Sequence, residues 1–133
     1  MLLNSTDSQF HGYIKDEYTT LPETTDRILA TAVTANWSYR AGDIDFAAAY
    51  AATRTALVDA FAHTPSLALQ QTLYAMGRRV IDTVAEVDQV RLSLPNKHHF
   101  AVDLEPFGLD NPGTVFIAAD RPYGLIEGTV NRR

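Results

Sequence analysis

Apolar and polar side chains alternate along residues 28–39, "ILATAVTANWSY", with Leu29, Val33, Trp37 and Tyr39 on one side and Thr34, Asn36 and Ser38 on the other. A period of two is that of a strand with one face buried. In "RAGDID" Gly42 turns the chain and Asp43 or Asp45 is placed to cap a helix. Helical spacing then follows over residues 46–62, through Ala47, Tyr50, Ala51, Arg54, Leu57, Val58 and Phe61. "HTPS" at 63–66 breaks it, and Ser66 is the expected N-cap of a second helix that runs to about residue 86. Its apolar stripe is Leu69, Leu73, Met76, Val80, Ile81 and Val84, with Arg78, Arg79, Asp82 and Glu86 outside.

Period-two patterning returns at Val90, Leu92 and Leu94, and then stops in "LPNKHHFAVDL" (94–104). Pro95 cannot donate to a β-ladder, and Asn96, Lys97, His98 and His99 follow it before Phe100, Val102 and Leu104 resume the alternation. A turn at "GLDNPG", a strand in "TVFIAAD", a turn at "RPYG" and a strand in "LIEGTV" complete the chain. Strands, two consecutive helices and strands again predict an α+β fold: one antiparallel sheet with both helices packed on one face. Phe10, Tyr13, Phe107, Phe116 and Tyr123 are more aromatic surface than one helix-covered face needs, so the second face is expected to meet another copy or another chain.

At 133 residues this is one domain's worth of chain, long enough for a core without staples. Eleven Lys plus Arg stand against sixteen Asp plus Glu, a net charge of -5, and no basic patch forms, so nucleic acid is not an expected partner. The lack of cysteine excludes disulfides, thiolate metal sites and a cysteine nucleophile. No apolar run reaches the about 18 residues needed to span a bilayer, and "MLLNSTDSQF" lacks the features of a signal peptide. The expected location is therefore the cytoplasm rather than a membrane, and rather than the peroxisome, for which the C-terminal tripeptide is missing. Asn4 and Asn36 match the glycosylation pattern, which without export is a chance match.

Among the residues that can carry chemistry, adjacent His98 and His99 point to opposite faces of an extended chain and cannot chelate one ion, so no metal site is expected. Each taken alone also reads as a surface or edge histidine, and Asn96 with Lys97 also reads as an ordinary bulge. Arg27 in "ETTDRIL" is either a surface ion pair with Glu23 or Asp26, or a planar fork for a carboxylate or amide edge. Gln70 lies in the first turn of the second helix, where open N–H groups favour an electron-rich ligand, or else simply faces solvent. By base rate Phe10 is a core or interface aromatic.

Two segments, "STDSQFHGYIKDEYTTLPETTDRILAT" and "LPNKHHFAVDLEPFGLDNPGTVFIAADRPYGLIEGTV", resemble the second half of the urate oxidase (uricase) family, and "LQQTLYAM" falls where that family has a substrate-contacting turn. The resemblance runs from about residue 3 to about residue 130 without a large gap. It implies a single T-fold domain over 1–133, the second of two tandem domains, with sheets that join those of neighbouring subunits in a tunnel-forming barrel within a tetramer. The implied activity is oxidation of urate by dioxygen to 5-hydroxyisourate and hydrogen peroxide without metal or organic cofactor.

Carried over residue by residue, the resemblance makes Phe10 the aromatic that stacks on the purine and Arg27 with Gln70 the pair that grips its polar edge. Leu69 matches a position whose backbone N–H assists, Asn96 the amide that holds dioxygen or water above the ring, and His98 the histidine of a proton relay. Lys97 and His99 match residues with no catalytic role. Asn4 stands where the family usually has lysine, and His11 where an aromatic is frequent. The family's first domain, which supplies a threonine and a lysine to the relay, is absent, so an N-terminal half is the expected partner, as a separate or a cleaved chain. The alternatives are a catalytically incomplete purine-binding or structural T-fold module, and another T-fold enzyme of the kind that grips its ring with a glutamate.

Overall fold

The computed structural model describes all residues except 7, 26 and 120–122, and the side chains of Ser5 and Thr6. Its elements follow in the order β1 (Leu2–Thr6), β2 (Arg27–Thr31), β3 (Thr34–Tyr39), α1 (Phe46–His63), α2 (Leu69–Thr83), β4 (Val87–Pro95), β5 (His99–Ala101), β6 (Phe116–Ala118) and β7 (Leu125–Asn131), with a single 3-10 turn at Glu105–Phe107. All strand pairs are antiparallel. They form three ladders, β1-β2, β3-β4-β7 and β5-β6, where one continuous sheet was expected. The run 28–39 is two strands in two ladders, because the chain leaves β1's ladder after Thr31 and joins β4's at Thr34 without a Gly or Pro to mark the change. The side assignment still holds, since Leu29 is buried and Val33, Trp37 and Tyr39 pack against the core.

α2 lies on β4 and β7. All six residues of its expected stripe are buried, each contributing about 1.5 to 3 kcal/mol if fully removed from water. Its start differs from expectation. Ala68, not Ser66, is the N-cap, while the Ser66 hydroxyl donates to the Ala68 carbonyl at 2.7 Å and accepts from Thr72 Oγ1 at 2.7 Å. Gln71 Oε1 accepts from the Leu67 N–H at 3.0 Å, which also ties down the chain ahead of the helix. The helix stops at Thr83, short of residue 86, where the Val84 N–H closes on the Val80 carbonyl.

α1 is capped by Asp45, whose carboxylate accepts from the Ala48 N–H at 3.0 Å, worth about 1 kcal/mol. It packs on α2 through Ala49, Thr53, Ala56, Leu57, Ala60 and Phe61, a face turned from the one expected. Ala47, Ala51 and Val58 of the expected stripe are exposed. Tyr50 and Phe46 reach over the sheet edge to Trp37 and Tyr39, with ring centroids 5.6 and 5.1 Å apart.

The sheet face away from α2 is polar, which corrects the expectation of an aromatic second face. Thr34, Asn36 and Ser38 of β3 register with Ser93, Arg91 and Gln89 of β4, and these with Glu127, Thr129 and Asn131 of β7. Exposed apolar side chains lie elsewhere, among them Phe100, Phe107, Leu109 and Ile117 in the segment from β5 to β6. The expected strand through Leu104 is shorter, since β5 ends at Ala101 and the chain turns into the 3-10 segment. Part of the expected "RPYG" turn lies outside the described residues. No helix among the described residues is long and apolar enough to cross a membrane.

Candidate active site

The polar interruption after β4 is where the three ladders meet. Pro95 is the last β4 residue, opposite Leu125. One residue on, the Asn96 N–H donates to Gly124 O at 2.8 Å, beside β7. The Lys97 N–H donates to Ala30 O of β2 at 2.9 Å, and His98 O accepts from the Ala119 N–H at 2.9 Å, just past β6. Three successive residues are thus fixed to three different ladders, so the backbone beneath Asn96 and His98 has little freedom. His99 Nδ1 sits 3.2 Å from Lys97 O.

Phe10 is held from two sides. The Ser8 hydroxyl and the Gln9 N–H both donate to Leu67 O, at 3.1 and 2.8 Å, tying the segment to the approach of α2. Phe10 and Thr24 then exchange backbone hydrogen bonds of 2.8 and 2.9 Å, which closes the loop between them. Tyr13, expected on an aromatic second face, stacks instead on Phe10 at 4.3 Å and 25°.

Arg27 opens β2, and its Cζ lies 5.4 Å from the centre of the Phe10 ring, within cation–π range. It does not pair with Glu23, whose carboxylate is taken by Lys15 Nζ at 3.2 Å and by the Gly12 N–H at 2.9 Å. Asp26, the other candidate, lies outside the described residues. Arg27 Nε is buried and has no hydrogen-bond partner among the described residues. Burial lowers the guanidinium pKa, yet an arginine stays charged. A charged, partly buried guanidinium whose Nε has no partner among the described residues keeps a donor available for an anion or amide edge.

His98 completes the cluster. Burial first, and the Arg27 charge second, hold its imidazole below the ordinary histidine range. Its ring is 6.0 Å from that of Phe100. The lowered pKa favours the neutral imidazole, the form able to take a proton.

Leu69 and Gln70 begin α2 just after the Leu67 carbonyl that anchors Ser8 and Gln9. The Leu69 side chain is buried, that of Gln70 is exposed, and Ala68 offers no capping oxygen to the first turn. Phe10 and Arg27 are thus brought together directly, and His98 lies near enough for the Arg27 charge to act on it. Gln70 and Asn96 come near only through sequence neighbours, Leu67 bonded by Ser8 and Gln9 and Lys97 bonded to Ala30, and no hydrogen bond among the described residues links their side chains to Arg27. Two surface grooves, one of about 510 Å³ along α2 and β7 and one of about 600 Å³ in the loop after β5, contain none of these residues. Among the described residues no three His, Asp or Glu side chains gather as metal ligands would.

The uricase family model matches residues 1–127. The chain is 63% identical to a uricase from Arthrobacter globiformis over 131 residues, 98% of this chain and 43% of that protein. It is 42% identical to a Dictyostelium discoideum uricase over 99% of this chain and 46% of that one. It therefore spans about half the length of the curated relatives it matches. A crystal structure of the Arthrobacter uricase superposes with a TM-score of 0.92, covering 98% of this chain and 46% of that one. A Bacillus sp. TB-90 urate oxidase, at 23% identity, shares the fold with a TM-score of 0.75 over 99% of this chain and 45% of that one. Two helices over antiparallel ladders are the T-fold of those structures, with the barrel not closed by this domain alone. A match over nearly the whole chain, on the fold that carries the Phe10, Arg27 and His98 cluster, places it: the chain belongs to the uricase family.

Proposed function

We propose that residues 1–133 are the second T-fold domain of a urate oxidase, which oxidises urate with dioxygen and water to 5-hydroxyisourate and hydrogen peroxide once an N-terminal half is in place. The observation that carries this reading is Arg27, a partly buried guanidinium whose Nε has no hydrogen-bond partner among the described residues, 5.4 Å from the centre of the Phe10 ring and near enough to His98 for its charge to help lower the imidazole pKa. Urate is a flat anion edged with carbonyl and N–H groups. Phe10 stacks on its plane, Arg27 gives parallel donors to its acceptor edge, and the Gln70 amide offers a donor and an acceptor beside the open N–H of Leu69.

Two electrons leave urate and reduce dioxygen to peroxide, while water adds its oxygen to the oxidised ring. Asn96 holds the dioxygen or the water above the ring. His98, kept neutral, accepts and passes the protons released. Neither a metal nor an organic cofactor is invoked, and the relay is completed by a threonine and a lysine from the N-terminal half. The chain corresponds to about half the length of its uricase relatives, and a tetramer-like barrel completed with the N-terminal half is the proposed assembly.

The test is to purify the complex from its source, identify every polypeptide in it, and follow urate absorbance together with peroxide. The complex should consume both substrates with one peroxide released per urate, and this chain by itself should not. Urate binding without turnover by the complete complex would favour a purine-binding module instead, and no binding at all a structural one.

A further inference from the structure

We infer that Tyr13 is a positioning residue for Phe10, a ring that backs the stacking ring and settles which of its faces receives the substrate. The inference rests on the reading of Phe10 as the residue that stacks on urate. Tyr13 lies three residues beyond Phe10, across Gly12, whose φ of +73° turns the chain back so that the two rings meet at 4.3 Å and 25°. Tyr13 covers one face of Phe10, so a flat ligand stacking on this ring is confined to the face that Tyr13 does not cover.

Tyr13 is itself anchored. Its hydroxyl donates to the Leu21 carbonyl on the far arm of the loop, and Lys15 Nζ stands 5.5 Å from its ring centre. The remaining ties of the loop, the Phe10–Thr24 bridge and the Gly12–Glu23–Lys15 clasp, do not pass through the Tyr13 ring. Removing the ring therefore frees the Phe10 side chain without opening the loop. A half-exposed phenylalanine so freed must be ordered again by each substrate that binds, and with the lost aromatic pair this corresponds to about five- to tenfold in affinity.

The experiment uses the assembled complex with fluorine-labelled phenylalanine, the Phe10 signal being identified by its loss in Phe10→Leu. In Tyr13→Leu the Phe10 fluorine resonance should shift and sharpen. KM for urate should rise about five- to tenfold with kcat within about twofold, and the thermal midpoint should stay in place. Tyr13→Phe keeps the stack and gives up only the hydroxyl bond, so it should restore the fluorine signal and KM. An unmoved Phe10 resonance, an unchanged KM in Tyr13→Leu, or a Tyr13→Phe variant as impaired as Tyr13→Leu overturns the inference. If the unmutated complex does not turn over urate, the fault lies in the functional reading, and the fluorine signal still decides whether Tyr13 holds Phe10.

Discussion

Arg27 Cζ stands 5.4 Å from the centre of the Phe10 ring, and no acidic side chain among the described residues pairs with it. Seventeen residues separate the two in sequence, and the Phe10–Thr24 bridge brings their ends of the loop together. The cation is thus positioned by backbone and by a ring, and its Nε has no hydrogen-bond partner among the described residues. A surface arginine would be held by a carboxylate, and Glu23 is engaged elsewhere.

The first prediction concerns that guanidinium. In the assembled enzyme Arg27→Ala should lower kcat/KM by about a hundred- to a thousandfold, the value of a desolvated charge-assisted pair. Arg27→Lys should recover no more than about tenfold, since it restores charge without parallel donors. The thermal midpoint should hold or rise in both, because no partner among the described residues is orphaned. Steady-state urate kinetics with a melting curve decide it, and a large stability loss would mean the arginine is structural.

The second prediction follows from His98. Its folded pKa lies below the ordinary 6.5 or so, because burial and then the Arg27 charge disfavour the imidazolium. In the unfolded chain the group binds its proton first as pH falls. Its contribution to stability is therefore fully present above about 6.5 and is lost as pH drops through the lower folded value. Activity should fall over that same acid window. Arg27→Gln should move the limb upward toward 6.5 by removing one cause of the shift, and His98→Ala should abolish the limb. A limb unmoved by either change would assign it to another group.

How much of this was legible in the sequence depended on contrast between neighbouring residues. The α2 stripe alternates Leu, Met, Val and Ile with Arg, Asp and Gln, and every stripe residue expected is buried. In α1 alanine appears on every side, so the true face of Ala49, Thr53, Ala56 and Ala60 is drawn by small residues that carry almost no hydrophobic signal. The change of ladder after Thr31 lacks any turn residue, and the period of two runs through it undisturbed. The interruption at 95–99 was visible as a break in pattern. Its meaning lay in bonds to Ala30, Ala119 and Gly124, residues that no local pattern connects. Tyr13 was visible only as an aromatic three residues from another, and the turn at Gly12 supplies the contact.

The third prediction separates the backbone of the junction from its side chains. The Asn96 N–H holds Gly124 O at 2.8 Å, whereas no hydrogen bond among the described residues uses the Asn96 amide. Asn96→Ala should therefore leave the thermal midpoint and the urate KM close to those of the unmutated complex and lower kcat by about ten- to a hundredfold, the scale of one lost polar group that acts on the reacting oxygen. Dioxygen dependence at saturating urate is the discriminating measurement. A KM effect with unchanged kcat would move Asn96 from the oxygen to the substrate.

The fourth prediction concerns what holds α2 on the sheet. Gly77 faces Val130, and a Cβ built at Gly77 would stand 2.5 Å from Val130 Cγ2 and 3.0 Å from its Cβ. Gly128 faces Leu73 in the same way, with 2.8 Å to Leu73 Cδ2. Each side of the contact presents one glycine to one branched side chain, and the helix approaches β7 more closely than a Cβ allows. Gly77→Ala gains about 1 kcal/mol of helix propensity, but the new methyl meets a valine, whose β-branch is stiff. The net effect should be a destabilisation of about 2 kcal/mol from overpacking. Gly128→Ala meets the flexible end of a leucine and should cost less, about 1 kcal/mol. Val130→Ala alone opens a cavity and destabilises by itself. The Gly77→Ala, Val130→Ala double variant should nevertheless be more stable than the sum of the two changes predicts, because the new methyl enters the space the valine leaves. Urea unfolding of the four proteins measures the coupling, and strict additivity would show that the helix simply shifts away.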